Sequence, residues 1–162
     1  MKADKFLIGI VVVIVLIVVA AFAVTLTRPD ETYLADDSPE NVVHNYLLAL
    51  QQNEFDRAYS YLSPDLDGFP SSVDVFERDM KNNSWRFRED IEVSLSIEGA
   101  EIKRDQATVQ VLESQFYGGG LLDSGQTVIT FEMELIQLDG EWKITNGDYY
   151  FAYCWTSGNF CK

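Results

Sequence analysis

Histidine and cysteine are scarce in this chain of 162 residues. The sequence contains one histidine, His44, and two cysteines, Cys154 and Cys161. One imidazole and two distant thiols do not supply a recognisable ligand set, so we expect no metal centre and no cofactor. The sequence also lacks a Ser-His-Asp arrangement, a phosphate-binding glycine loop and a Walker-type lysine. His44 falls at the edge of a helical apolar stripe, where a surface position is favoured over a catalytic one.

Basic residues are also few, with 12 Lys and Arg against 26 Asp and Glu. Lys2, Lys5 and Arg28 are the basic residues before Pro29, and Asp4 is the acidic one. The remainder therefore carries nine basic and 25 acidic residues, a net charge of −16. Such a surface repels nucleic acid and anionic lipid headgroups, so we predict no nucleic-acid binding. Acidity that keeps an exposed domain soluble is the favoured interpretation, and a cationic partner is the alternative.

Charge is absent altogether from residues 6–26, FLIGIVVVIVLIVVAAFAVTL. At 1.5 Å per residue, these 21 positions span about 31 Å, the thickness of the hydrocarbon core of a bilayer. The sequence therefore predicts an N-terminal membrane anchor within residues 1–28. A cleaved signal peptide ending near Ala21-Phe22-Ala23 is the alternative, which would make the protein secreted. The apolar core of a signal peptide is usually about 7 to 15 residues, and this run is longer.

The charges on either side of this segment predict its orientation. Lys2 and Lys5 precede it, and PDETYLADDSPE follows Arg28. The positive-inside rule places the N-terminus in the cytoplasm and the rest of the chain outside. We therefore expect a single-pass protein of the cell membrane with an extracytoplasmic C-terminal domain.

The predicted extracytoplasmic part begins with a short acidic linker at residues 29–37. Helical patterns follow this linker. In SPENVVHNYLLALQQ, Ser38 is a good N-cap and Pro39 fits the first helical turn. The segments NEFDRAYSYLSP and SSVDVFERDMKN repeat apolar residues at helical spacing. Three short helices are therefore predicted within the first part of a domain covering residues 38–162.

The apolar period then changes from 3.6 to 2. IEVSLSIEG, ATVQVLESQFY and QTVITFEMELIQL alternate apolar and polar residues, as half-buried strands do. Asp139-Gly140 is a strong hairpin signal, and EWKITNGDYYFAY is the expected partner strand, with a bulge near Asn146-Gly147. The fold class predicted is α+β, with about three helices packed on a curved antiparallel sheet of about four strands.

The helix pair in SPENVVHNYLLALQQNEFDRAYSYLSPDL and the terminal hairpin in FEMELIQLDGEWKI resemble the nuclear transport factor 2-like superfamily. This cystatin-like, cone-shaped fold includes ketosteroid isomerases and polyketide cyclases. The chain is most similar to bacterial membrane-anchored or secreted members of undefined activity. The resemblance implies a cone between helices and sheet, and it leaves function open because one fold hosts many activities.

Catalytic members of the superfamily project carboxylate, His or Tyr side chains into the cone. On the third predicted strand the inward residues are all apolar: Ile129, Phe131, Met133 and Leu135. On the second strand the same parity turns Glu113, Gln115 and Tyr117 inward. A carboxylate beside a phenol in an apolar cone is the chemistry of an acid or base. A solvated rim is the favoured interpretation of these three candidate ligand-binding residues.

Three functions follow from these observations. The favoured hypothesis is a non-catalytic module that binds a small apolar ligand, an envelope component or a protein partner. The alternatives are an isomerase- or cyclase-like enzyme using Glu113 and Tyr117, and a self-association module. The outer sheet face would mediate a homodimer through four apolar residues: Leu112, Phe116, Val128 and Ile136.

Two further segments of the sequence are rich in aromatic residues, one at residues 85–88 and one at the end of the chain. Trp85 and Phe87 alternate with Arg86 and Arg88, and packing at the edge of the core is favoured there over contact with a partner or an anionic ligand. In the final YYFAYCWTSGNFC, the aromatic residues are expected to continue the last strand. With this tail outside the cytoplasm, a disulfide between Cys154 and Cys161 is predicted.

Overall fold

A computed structural model of the protein describes residues 5–26, 31–87, 93–118, 124–157 and 161. The chain divides into two compact units, Met1–Thr32 and Tyr33–Lys162. The first unit contains one helix, α1, at Lys5–Leu26. In the described part of the chain, no helix is both long enough and apolar enough to cross a membrane. The transmembrane helix predicted for residues 6–26 therefore receives no support from the structure.

The second unit contains three α-helices, four strands and a 3-10 helix. The helices are α2 (Pro39–Gln51), α3 (Phe55–Ser60) and α4 (Val73–Asn83). The strands are β1 (Val93–Lys103), β2 (Gln106–Gly118), β3 (Ser124–Leu138) and β4 (Glu141–Gly147), and the 3-10 helix is Tyr153–Trp155. The strands form one antiparallel sheet in the order β1-β2-β3-β4. The predicted α+β class is confirmed.

Serine hydroxyls cap two of the helices. Ser38 Oγ accepts a hydrogen bond from the Asn41 amide at 3.3 Å, as predicted for the start of α2. Ser72 Oγ accepts one from the Val75 amide at the start of α4, also at 3.3 Å. Both bonds satisfy amides that have no partner inside the helix.

Helix α3 ends at Ser60, before the Pro64 expected from the sequence. The residues after it pair with the edge strand β4 instead. The Ser63 amide donates to the Ile144 carbonyl at 2.8 Å, and the Ile144 amide donates to the Tyr61 carbonyl at 2.9 Å. These hydrogen bonds to β4 satisfy backbone groups that another turn of helix would otherwise satisfy. The helix can therefore end at Ser60 without leaving them unpaired.

Residues 33–37, predicted as part of a linker, pack against the domain. The buried Asn45 side chain bonds both the amide and the carbonyl of Leu34, each at 2.8 Å. Tyr33 Oη donates to Glu54 Oε2 at 2.8 Å, and the Arg57 guanidinium lies 3.3 Å from the Tyr33 ring centroid. Burial and the Glu54 carboxylate raise the pKa of Tyr33 to about 12. The compact unit thus begins at Tyr33.

The inner face of the sheet forms the core with the helices, and Phe131, Met133 and Leu135 are buried there as predicted. Ile129 is half-buried. On β1, half-buried Val93, Leu95 and Ile97 alternate with exposed polar residues, whereas Ile91 lies outside the described residues.

Two predicted irregularities of the sheet are present. Asp139 and Gly140 have φ of 51° and 88°, as the expected two-residue hairpin requires. Glu134 pairs with Asn146 and Leu135 pairs with Ile144, which leaves Thr145 as the extra residue of a bulge.

The aromatic tail does not continue the last strand, and this prediction is wrong. β4 ends at Gly147, and the chain then turns so that Ala152 bridges to Ser84 beyond α4. Trp155 is fully buried and stacks on Phe76 of α4, with ring centroids 5.3 Å apart. The predicted Cys154–Cys161 disulfide is present, with a Cα–Cα distance of 5.3 Å.

Candidate functional site

Glu113 lies on the inner face of β2 with 2% of its surface exposed. It pairs with Leu95 of β1 and Ile129 of β3, so the alternation of the strand turns its carboxylate toward the core. The favoured interpretation of a solvated rim is therefore wrong for Glu113. A buried carboxylate is costly unless it is paired, so its neighbours decide what it can do.

Arg86 provides the opposite charge. Its Nη2 lies 2.6 Å from Glu113 Oε1, and its Nε lies 3.1 and 3.2 Å from the two carboxylate oxygens. Arg86 adopts a left-handed backbone conformation with φ of 67°, three residues after the end of α4. A non-glycine residue in this region is strained, and the turn directs the guanidinium onto Glu113.

Tyr150 provides a third group. Its hydroxyl donates to Glu113 Oε2 at 2.9 Å, and its own φ is 56°. The Tyr150 amide donates to the Trp85 carbonyl at 3.1 Å, and its carbonyl accepts from Tyr46 Oη at 2.6 Å. These bonds connect the segment after α4, the segment after β4 and helix α2 at one point.

The arrangement favours one protonation state for Tyr150 and one for Arg86. Burial, followed by the Glu113 charge, raises the pKa of Tyr150, so its phenol keeps its proton. The hydrogen bond to Glu113 raises the pKa of Arg86, so the guanidinium stays charged. Glu113 accepts from both neighbours through both oxygens, so these donors already occupy the positions at which a substrate would bind the carboxylate.

The other two predicted site residues are on the same strand. Gln115 is buried with 9% exposure, paired with Val93 of β1 and Thr127 of β3. Tyr117 pairs with Gly125, and its side chain lies outside the described part of the structure. The phenol that meets Glu113 is therefore Tyr150, which the sequence did not single out.

Arg86 belongs to the basic aromatic segment 85–88, for which the sequence favours packing at the edge of the core. Of this segment, Trp85 is 65% exposed, whereas Phe87 packs edge-on against Phe55 with ring centroids 6.3 Å apart. Arg88 lies outside the described residues. Packing at the edge of the core is thus correct for Phe87 and wrong for Trp85.

Two clefts lie on the outside of the domain. One, of about 300 Å³, is on the outer face of the sheet and is lined by Gly99, Ala100, Glu101, Thr108, Gln110 and Glu132. The other, of about 230 Å³, is lined by Ser63, Asp65, Leu66, Asp67, Ile136, Thr145 and Thr156. Glu113, Gln115, Arg86 and Tyr150 are not among the residues that line these two clefts.

Solved structures share this architecture. A SEC-C motif containing protein from Rhodopseudomonas palustris has a TM-score of 0.50 and 20% identity, covering 72% of this chain and 81% of its own. A nuclear transport factor 2-like protein of unknown function from Shewanella oneidensis has a TM-score of 0.42 and 15% identity, covering 65% and 90%. A Shewanella frigidimarina protein provisionally named a ketosteroid isomerase has a TM-score of 0.45 and 16% identity, covering 72% and 98%.

This chain shares its α+β fold with the Rhodopseudomonas palustris protein. No protein-family model matches the sequence, and no curated protein matches it. At these identities the likeness concerns the fold alone, and a shared fold does not assign an activity.

Proposed function

We propose that residues 33–162 form a non-catalytic binding module that recognises a protein partner or an envelope component through its surface. One observation carries the proposal: the buried Glu113 carboxylate is held by Arg86 and Tyr150. An acid–base enzyme needs a carboxylate that can exchange a proton with its substrate. Here the carboxylate serves as the anion of a buried ion pair instead.

Packed side chains fill the space between the helices and the sheet. This favours a ligand that binds at the surface over a small apolar ligand that binds inside. Tyr46, Phe76, Met80 and Trp155 are fully buried and come from α2, α4 and the 3-10 helix. They occupy the space between helices and sheet in which a small molecule would bind. A ligand that enters there would have to displace packed side chains, at a cost of several kcal/mol.

Photo-cross-linking tests this binding. A benzoylphenylalanine replaces Trp85 on one side of the domain or Val128 on the outer sheet face, since these side chains are 65% and 49% exposed. A buried control replaces Phe76. We expect a discrete cross-linked product from one exposed position and none from the control. Products of equal yield from both exposed positions would indicate non-specific contact and contradict the proposal.

The location is a separate proposal that rests on the sequence. The uncharged run at residues 6–26 and the lysines before it support a membrane anchor with residues 33–162 outside the cytoplasm. In bacterial cells, the full-length protein should then sediment with membranes and be degraded by protease added to spheroplasts. A mature N-terminus just after Ala23 would establish secretion after signal-peptide cleavage instead.

An isomerase- or cyclase-like enzyme is the second candidate, and the buried Glu113 beside the phenol of Tyr150 favours it. In this case Glu113 would have to leave Arg86 when substrate binds, and Tyr117 is the phenol that the sequence predicts as its partner. Deuterium exchange next to the carbonyl of a 3-ketosteroid tests this function. We expect wild type and Glu113→Gln to give the same rate. Faster exchange with wild type would establish the enzyme.

Self-association through the outer sheet face is a third candidate. Val128 is half exposed there, and Leu112 and Ile136 are partly buried. Phe116 pairs with Gln126 of β3. Sedimentation of residues 29–162 checks this, because a homodimer that dissociates in a Val128→Glu variant would support it. A monomer over a wide concentration range would exclude it.

A further inference from the structure

A carboxylate lies beside the disulfide near the end of the chain. One oxygen of Asp79 and the sulfur atoms of Cys154 and Cys161 all lie within 4.8 Å of one another. Asp79 is 2% exposed and belongs to α4, whereas the cysteines belong to the tail. Three ligand atoms of the types that zinc prefers are thus gathered from two parts of the fold.

Asp79 is oriented by hydrogen bonds to both of its oxygens. Trp155 Nε1 donates to Oδ2 at 3.2 Å from within the core, and Arg78 Nη2 donates to Oδ1 at 3.1 Å. The Arg78 side chain is 54% exposed, so this second bond can be exchanged for another partner at low cost. A carboxylate held by a buried donor is the usual arrangement for a metal ligand, because the outer partner sets its direction.

We propose that the Cys154–Cys161 disulfide and Asp79 form a redox-gated site for a thiophilic divalent cation such as Zn²⁺. In the disulfide form the sulfurs are bonded to each other, and the pair acts as a covalent staple. An external dithiol opens the site: two electrons and two protons convert the S–S bond into two thiols, and the reductant becomes a disulfide. The cation then displaces both thiol protons and forms two metal–sulfur bonds, and Asp79 supplies the third ligand.

The backbone already suits this chelate. Zinc–sulfur bonds of about 2.3 Å at a tetrahedral angle place two sulfurs roughly 3.8 Å apart. The cysteine Cα atoms lie 5.3 Å apart, so rotation of the side chains provides this separation without moving helix α4. Three protein ligands leave a fourth position for water, as in zinc sites that are open to exogenous ligands.

Cobalt binding to the full-length protein tests the proposal, with and without prior reduction by a phosphine. Co²⁺ bound by thiolates absorbs in the near ultraviolet, and Zn²⁺ competes with it. We expect one equivalent to bind reduced wild type and none to bind the disulfide form. Asp79→Asn, which keeps an acceptor for Trp155, should weaken Zn²⁺ binding about 10-fold or more, since even outer partners of ligands contribute that much. Asp74→Asn, an exposed change on the same helix, should bind as wild type does.

Three results would overturn the proposal. The first is the absence of thiolate–cobalt absorption in reduced wild type that retains its far-ultraviolet circular dichroism. The second is equal affinity in wild type and Asp79→Asn, which would assign the ion to the thiols alone. The third is equal binding by the disulfide form. Because cross-linking to a partner is measured on the disulfide form, its outcome is independent of all three.

Discussion

Arg86 and Glu113 form a bidentate ion pair across 27 positions of sequence, with Nη2 of the arginine 2.6 Å from Oε1 of the carboxylate. The glutamate side chain is 2% exposed and the arginine side chain 31%. A paired charge of this kind contributes little net stability, but removing either partner leaves the other one uncompensated. The pair therefore holds the turn after α4 against the inner face of β2.

Tyr150→Phe should lower the free energy of unfolding by about 1–2 kcal/mol. The substitution keeps the ring and removes the hydroxyl that donates to Glu113 Oε2, which leaves that lone pair without its buried donor. Urea denaturation measures the change. Tyr153→Phe is the matched control, because its hydroxyl also donates to one side-chain oxygen, Asn83 Oδ1 at 3.1 Å, but Tyr153 is 54% exposed. Water can replace that bond, so the loss should be smaller than for Tyr150→Phe. Equal effects of the two substitutions would contradict the role of Tyr150.

Stability should fall as the pH rises above about 10, the ordinary pKa of tyrosine. Burial raises the pKa of Tyr46, and burial with the Glu113 charge raises that of Tyr150. A raised folded-state pKa means that the folded protein keeps protons which the unfolded chain releases. This stabilisation is complete below the unfolded pKa and is lost as the pH rises toward the folded one. Unfolding free energies at several alkaline pH values, compared with those of Tyr46→Phe, should show a shallower slope in the variant. Parallel slopes would contradict this assignment.

Replacing both Cys154 and Cys161 by serine should cost about 2–3 kcal/mol. The disulfide links residues separated by seven positions, and closing a loop of this length removes about that much entropy from the unfolded chain. The double variant also loses the connection that holds residue 161 against the 3-10 helix. Thermal unfolding of wild type with and without reductant should reproduce the same difference. A reductant effect in the double variant as well would show that the change has another source.

Gly68→Ala should be destabilising by about 1–3 kcal/mol, because a Cβ there would lie 2.6 Å from the Cys154 carbonyl oxygen and 2.9 Å from the Trp155 Cα. The Gly68 amide also donates to the Trp155 carbonyl at 2.9 Å, so the two backbones cannot separate without losing that bond. Gly125→Ala is the control, since a Cβ there meets nothing within 4 Å. Equal stability of the two variants would show that the tail can move away from Gly68.

The sequence predicted the elements of the domain better than it predicted their contacts. Helical spacing located α2 and α4, the Ser38 cap marked the start of α2, and strict alternation located the strands, because each pattern depends on neighbouring residues. The alternation along β2 also predicted that Glu113 faces inward, which is confirmed. Its partners could not be found in this way, because Arg86 and Tyr150 reach it from turns with φ of 67° and 56°, values for which a non-glycine sequence gives little signal.

The tail shows the same limit. Its aromatic residues suit a strand, yet the segment turns after Gly147 because Trp155 gains a buried position between Phe76 and Phe151. Tertiary packing of one large side chain outweighs the local preference of several. The disulfide was predictable because only two cysteines are available to pair.

The most direct test of a structural Glu113 is a double-mutant cycle on Arg86 and Glu113. Arg86→Met should lower the free energy of unfolding by about 2–3 kcal/mol, because it leaves the buried Glu113 carboxylate without its cation. Glu113→Gln should cost less, because the Arg86 side chain is 31% exposed and water can solvate its charge. The double variant should lose clearly less than the sum of the two, since neither charge then remains. Strictly additive losses, or single variants as stable as wild type, would contradict the account.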